Sequence, residues 1–210
     1  SYSSTATNVQ FITMQYPNGG AASPSWTQFV GGGLNDEAKV VVIDGSDNIY
    51  VAGHSEFSSG TTYFDYRVVK YNSAGTQQWS VTEDSGSDNL DTPHAMALDP
   101  SGNVVVGGQG FTDVVNEEDY LLMKFNGATG AWQWTRQYAG DAEALDRINA
   151  VDIDAAGNIY VTGRSKSLAS SEDFYTIAYN SAGTELWNHR YSSDGLEYDD
   201  ATDIKLAASG

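Results

Sequence analysis

The chain contains no cysteine, which excludes a disulfide framework and any thiolate metal site and leaves the redox compartment unread. It holds only 10 lysines and arginines against 28 aspartates and glutamates, a net charge of −18. A surface so poor in basic side chains repels phosphate backbones and anionic lipids, so nucleic acid and membrane insertion are excluded as partners. No run approaches the ~18 apolar residues of a membrane-spanning helix. The opening SYSSTATNV has neither the basic start nor the apolar stretch of a secretory signal, so any targeting segment is expected to be removed or to lie outside this chain.

What is present is glycine (22) and aromatic residues (13 Tyr, 7 Phe, 5 Trp). That combination suits many short strands joined by tight turns rather than helices. An apolar content of 40% over 210 residues is enough for a sizeable core.

The sequence repeats. NIYVAG (48–53), NVVVGG (103–108) and NIYVTG (158–163) start 55 residues apart both times. Behind each comes a second apolar run, FDYRVVKYN (64–72), EDYLLMKFN (118–126) and EDFYTIAYN (172–180), with VQFITMQYPN (9–18) a degenerate fourth. A third pattern ends in tryptophan, and Trp26, Trp79, Trp134 and Trp187 are separated by 53, 55 and 53 residues. A fourth precedes the NxYVxG run and begins at Ala38, His94, Asn149 and Ala201. Each unit is therefore four short strands. DGSDN, DPSGN and DAAGN (44–48, 99–103, 154–158) read as the hairpin between the first and second strands. In each, Asp caps the turn and Gly or Asp takes the left-handed position. Residues of both parities are apolar in IYV, VVV and IYV, so both faces of the sheet are expected to be buried. A four-stranded meander covered on both faces is a propeller blade between two neighbours.

The fold class read from these patterns is all-β: a β-propeller region over 1–210, with four-stranded antiparallel blades at 31–82, 83–138 and 139–191 and partial blades at 1–30 and 192–210. Fifteen strands are expected, one short of four complete blades. Two readings stay open: a window on a longer tandem array, which is preferred, or a circularly permuted four-bladed propeller. A strand missing from within a blade would expose two hydrogen-bonding edges.

The pattern [DN]xxGNxYVxG, then DYxxxKYN, then a turn and Trp, resembles the bacterial β-propeller repeats called SBBP repeats. The resemblance covers nearly the whole chain. It implies four-stranded antiparallel blades and an extracellular or cell-surface bacterial setting, and it brings no catalytic residues. Departures from it are Asp47 for the turn glycine, Val105 for the strand tyrosine, and Ala178 and Gln15 where other repeats have Lys70 and Lys124.

No catalytic constellation is visible. His54, His94 and His189 fall at different places in the repeat and are not expected to converge, and no GxSxG elbow ties a serine to a base. The best chemical candidates are the acidic loops DSGSDNLD (84–91) and SSDGLEYDD (192–200). Their Asp84, Asp88, Asp91, Asp194, Asp199 and Asp200 are the candidate calcium ligands, although neither loop has EF-hand spacing. The reading preferred over calcium is that they are solvated inter-blade loops that confer solubility. Asp44, Asp99 and Asp154, and likewise Asp65, Asp119 and Asp173, recur at one repeat position. Recurrence argues for architecture, because a turn cap is needed in every blade and a catalytic group once. The four periodic tryptophans read as core wedges between blades, with Trp132 the one copy outside the register.

The function expected is that of a non-enzymatic structural or interaction module, a spacer, adhesin or fibre unit of a bacterial surface protein. Its partners would be neighbouring copies or continuing polypeptide. The alternatives are a glycan- or ligand-binding propeller using the variable loops, and an enzyme domain with no identifiable site. No cofactor is expected apart from the calcium weighed above.

Overall fold

The computed structural model describes residues 10–17, 19, 22–30, 35–56, 64–85, 90–111, 118–140, 145–168, 172–193 and 198–207. Among them are 14 strands in four antiparallel sheets and no helix. The first blade holds β1 (Phe11–Gln15) and β2 (Trp26–Val30). The second holds β3 (Asp36–Ile43), β4 (Ile49–Glu56), β5 (Phe64–Tyr71) and β6 (Gln77–Glu83). The third holds β7 (Thr92–Leu98), β8 (Val104–Phe111), β9 (Glu118–Phe125) and β10 (Trp132–Tyr138). The fourth holds β11 (Arg147–Ile153), β12 (Ile159–Lys166), β13 (Glu172–Tyr179) and β14 (Glu185–Tyr191). Each four-stranded sheet is a simple meander, as in propeller blades, and the first strands β3, β7 and β11 pack successively against one another.

The apolar runs of both parities are explained by the packing. Val105 faces the fourth blade in a layer with Leu122, Trp134, Val151 and Ile177. Its neighbours Val104 and Val106 face the second blade with Tyr50, Val68 and Trp79. A third layer joins the first and second blades through Phe11, Val30, Ile49, Val51, Val69 and Tyr71. Every core layer therefore lies between blades, and burying each such side chain stabilises the junction by about 1.5–3 kcal/mol.

Turns are fixed by their own side chains. Oδ1 of Asp44 accepts from the Ser46 and Asn48 N–H groups, both at 2.9 Å, and Asp99 and Asp154 do the same two and four residues on. Asp47 sits at φ 60°, in the place that Gly102 and Gly157 hold at 76° and 84°. The second oxygen of the capping aspartate shows how the Val105 departure is absorbed. Tyr50 Oη donates to Asp44 and Tyr160 Oη to Asp154, at 3.3 and 3.1 Å. Val105 has no hydroxyl, and its cross-strand partner Lys124 reaches Asp99 instead, at 2.8 Å.

One strand expected from the sequence is absent. Residues 201–206 carry no ladder, and the described residues hold 14 strands rather than 15. They lie against β11, where Asn149 Nδ2 donates to the Ala201 carbonyl and the Leu206 N–H to Asp152, both at 2.9 Å. A first strand takes its ladder from the second strand of its own blade, and among the described residues no strand pairs with these.

Each junction is locked in one direction. Trp26, Trp79 and Trp134 donate through Nε1 to the carbonyls of Ser73, Gly127 and Ser181 in the next blade's outer turn, at 3.3, 3.2 and 3.4 Å. Lys70 and Lys124 donate to the same Gly127 and Ser181 carbonyls at 2.8 and 3.0 Å. Tyr66 and Tyr120 donate across the junction to the carbonyls of Leu121 and Tyr175. Trp79 and Trp134 are buried as expected, whereas Trp187 is 46% exposed because no next blade covers it among the described residues.

Candidate functional site

Polar side chains gather in two places: the inter-blade carboxylates and the rim formed by the innermost strands. Asp88 and Asp194 lie outside the described residues. Asp91, at the entry to β7, is fully buried. It accepts from Ser85 N, Ser85 Oγ and Phe111 N at 2.7, 2.8 and 3.1 Å. Its own N–H donates to the Phe64 carbonyl of the preceding blade at 2.7 Å. Asp146 repeats the arrangement, accepting from Gly140 and Lys166 N–H groups and donating to Glu118. Asp199 accepts from Ser193 N at 2.7 Å and donates to Glu172.

Each of these aspartates clasps the loop that leaves one blade, six residues behind it, to the start of the next. Their oxygens face N–H and O–H donors, a polarity opposite to that of a cation cage. Asp200 instead meets Arg147 and Asn149, and the charge of Asp84 bears on Asp91. Among the described residues no three His, Cys, Asp or Glu side chains are grouped to hold a metal. The recurrence was available in the sequence, since Asp91 and Asp146 are 55 residues apart; Asp36, another 55 residues before, is buried too, but its Oδ1 has no hydrogen-bond partner among the described residues.

Burial pushes the Asp91 carboxyl up to about 7 and that of Asp146 up to about 6, against the pull of their donors. Both folded values lie above the unfolded one, so the stabilisation is complete below about pH 3.8 and is lost as pH rises through 6 to 7. For Asp91 alone that amounts to roughly 4 kcal/mol at ~1.4 kcal/mol per pH unit. Thermal unfolding should therefore occur at a higher temperature at pH 5 than at pH 8, and Asp91→Asn should flatten that slope. His54 and His94 oppose the trend, because burial lowers both and costs stability below about pH 6.5. An unchanged slope in the variant would show that Asp91 stays ionised throughout.

At the rim, polar side chains of successive blades approach one another. In β3, β7 and β11 the register shifts by one residue, and the extra residues are Lys39, His94 and Asn149. Such bulges re-aim a side chain. His94 Nε2 lies 3.0 Å from Gln109 Oε1, and Gln109 is the repeat counterpart of His54. His54 ends up beside Glu37, with Nε2 at 3.8 Å from its carboxylate, and the charges of both Lys39 and His94 bear on it. His54 and His94 thus come within electrostatic reach of each other, where a first strand packs beside the second strand of the preceding blade, while His189 lies on β14.

Next along the rim, Arg147 and Arg164 are direct cross-strand partners. They pair with Asp200 at 3.3 Å and Glu172 at 2.8 Å respectively; burial raises the Glu118 carboxyl above its ordinary value, and both arginines offset part of that rise. The Nε atoms of both arginines are buried with no hydrogen-bond partner among the described residues. Trp132, the tryptophan outside the register, is 55% exposed and donates to Thr135 Oγ1 at 2.9 Å. It stands at the outer edge of the third blade, away from the rim.

No curated protein matches this chain. Among solved structures it is similar to Bacillus licheniformis rhamnogalacturonan lyase PL11, with 15% identity and a TM-score of 0.38 over 86% of this chain and 42% of that one. The chain thus spans less than half of that protein's length. A family model described as SBBP, beta-propeller repeat, matches residues 133–168. That stretch takes in most of β10 and all of β11 and β12, including the NIYVTG run and the Asp154 turn. Residues 133–168 are therefore similar to an SBBP β-propeller repeat, and the same motifs recur 55 residues earlier and again before that.

Proposed function

We propose that this chain is a non-enzymatic structural and interaction module, a run of propeller blades serving as a rigid, soluble spacer or adhesin unit of a secreted or cell-surface bacterial protein. The observation that carries this reading is the repeated one-way lock. At each junction the same tryptophan, and at two of them the same lysine, reaches a turn carbonyl of the next blade. Recurrent chemistry of this kind builds a stiff stack. The charge of −18 keeps such a stack soluble and apart from its neighbours.

Electron microscopy of the whole polypeptide that bears these repeats should show stiff, elongated particles. Compact single particles would sink the spacer reading. A second reading, capture of an anionic ligand at the rim, is favoured by the two unspent guanidinium N–H groups of Arg147 and Arg164 beside His94.

A further inference from the structure

The outer turns that join a third strand to a fourth are not all alike. Those between β5 and β6 and between β13 and β14 span 72–76 and 180–184, with Asn72 N–H donating to the Thr76 carbonyl and Asn180 N–H to that of Thr184. The turn between β9 and β10 is longer by a residue, and Asn126 N–H donates to the Ala131 carbonyl at 2.8 Å. In the first two turns the asparagine is followed by Ser73 and Ser181, in the third by Gly127. Packing requires that glycine, because a Cβ there would overlap the Gly102 carbonyl in the same blade's β7–β8 turn.

The asparagine amide is also held differently. Oδ1 of Asn72 accepts from the backbone N–H groups of Ala74 and Thr76, and Oδ1 of Asn180 from those of Ala182 and Thr184. Oδ1 of Asn126 accepts from the N–H groups of Ala128 and Thr129 and also from the Thr129 hydroxyl, each at 3.0 Å. Donors gathered on one carbonyl oxygen stabilise negative charge that develops there. Among the described residues neither Asn126 Nδ2 nor the Gly127 N–H donates a hydrogen bond, so loss of a proton from one and departure of the other break none.

We propose that Asn126–Gly127 is a self-modifying site. The Gly127 nitrogen, having given its proton to solvent hydroxide, adds to Asn126 Cγ, and Oδ1 carries the resulting charge against its three donors. Collapse expels Nδ2 as ammonia and closes a cyclic imide. Water then opens the ring at either carbonyl, leaving aspartate or, with the main chain rerouted through Cγ, isoaspartate. Glycine permits the approach because it sets no side chain against the attacked carbon. Isoaspartate adds a methylene to the backbone just ahead of Gly127, whose carbonyl accepts from Trp79 Nε1 at 3.2 Å and Lys70 Nζ at 2.8 Å. The modification therefore loosens the junction of the second and third blades and spares the one that ends on Ser181. The site stands on this turn alone, whatever the whole protein carries or binds.

Purified protein is held at pH 6 and at pH 8 and digested with trypsin at intervals, against a zero-time control. The peptide of residues 125–136, FNGATGAWQWTR, has Asn126 as its only asparagine. Mass spectrometry should show its amide replaced by an acid roughly tenfold faster than the amides of Asn72 and Asn180, whose following serines obstruct the attack. The rate should be higher at pH 8, where the attacking nitrogen loses its proton more readily, and Thr129→Ala, at an exposed position, should slow it several-fold. Protein carrying isoaspartate, separated by chromatography, should melt about 5 °C below fresh protein, whereas Asn126→Asp, which keeps the normal backbone and the turn's acceptor oxygen, should melt within about 1 °C of it. Equal rates at Asn72, Asn126 and Asn180 would overturn the site, as would a rate indifferent to pH or to Thr129→Ala. An isoaspartate form that melts with the fresh protein would overturn the loosening of the junction.

Discussion

Gly108→Ala is expected to unfold the third blade, or to destabilise the protein by more than about 3 kcal/mol. A Cβ at this position would overlap the Thr92 carbonyl oxygen and stand 2.5 Å from Tyr66 Oη and 2.7 Å from Pro93 Cα. Overpacking a core costs about 1–3 kcal/mol where side chains can shift. Here the nearest obstacle is backbone, held by the β7–β8 ladder on either side of a bulge. Gly53 and Gly163 face the Glu37 and Arg147 carbonyls in the same way. This gives the last letter of the NxYVxG motif its physical meaning: the inner strand crosses too close for any side chain. Gly102→Ala, at a turn where nothing lies within 4 Å but φ is 76°, should cost only about 1 kcal/mol, the ordinary strain of a left-handed residue. Urea unfolding of the two variants gives the comparison, and equal losses would remove the crossing as the cause.

Trp79→Ala should lower stability by about 3–5 kcal/mol, the range for deleting a buried aromatic side chain. For a chain of this size that is a fall in melting temperature on the order of 10 °C. Trp79 is 8% exposed, lies edge-on to Tyr50 at 6.0 Å and donates to the Gly127 carbonyl at 3.2 Å. Its ring occupies the space over Gly130, where a Cβ would come within 2.9 Å. Trp187 holds the same place in the repeat but is 46% exposed and touches Tyr160 alone among the ring pairs, so Trp187→Ala should cost less than about 1 kcal/mol. Calorimetry of both variants reads the contrast. If the two cost the same, burial between blades is not what these tryptophans contribute.

The fold was legible wherever a residue's role repeats. The 55-residue period, the apolar residues of both parities and the capping aspartates each state a local requirement that every blade must meet. The ladder of residues 201–206 was misjudged because an apolar pattern specifies a face and says nothing about whether a partner strand is present. The electrostatic proximity of His54 and His94 was hidden for a related reason. They are 40 residues apart, because one sits on a second strand and the other on the next blade's first strand, so aligning repeats by period separates what packing unites. Asp91 was read as a calcium candidate from the acidity of its loop. Its repeat at Asp146 would have identified it as a clasp under the recurrence argument already applied to Asp44 and Asp65.

The one-way lock also bears on how such a protein changes over generations. At each junction the donors are side chains of one blade, whereas the acceptors at Ser73, Gly127, Ser181, Leu121 and Tyr175 are backbone carbonyls of the next. A carbonyl is the same whatever residue bears it, so a blade makes no demand on its neighbour's side chains at these contacts. Duplication, loss or exchange of a whole repeat by unequal recombination therefore preserves the acceptors of these hydrogen bonds at a new junction, whichever residues bear them. The gene can lengthen or shorten by units of about 55 codons while the outward loops of each unit diverge freely.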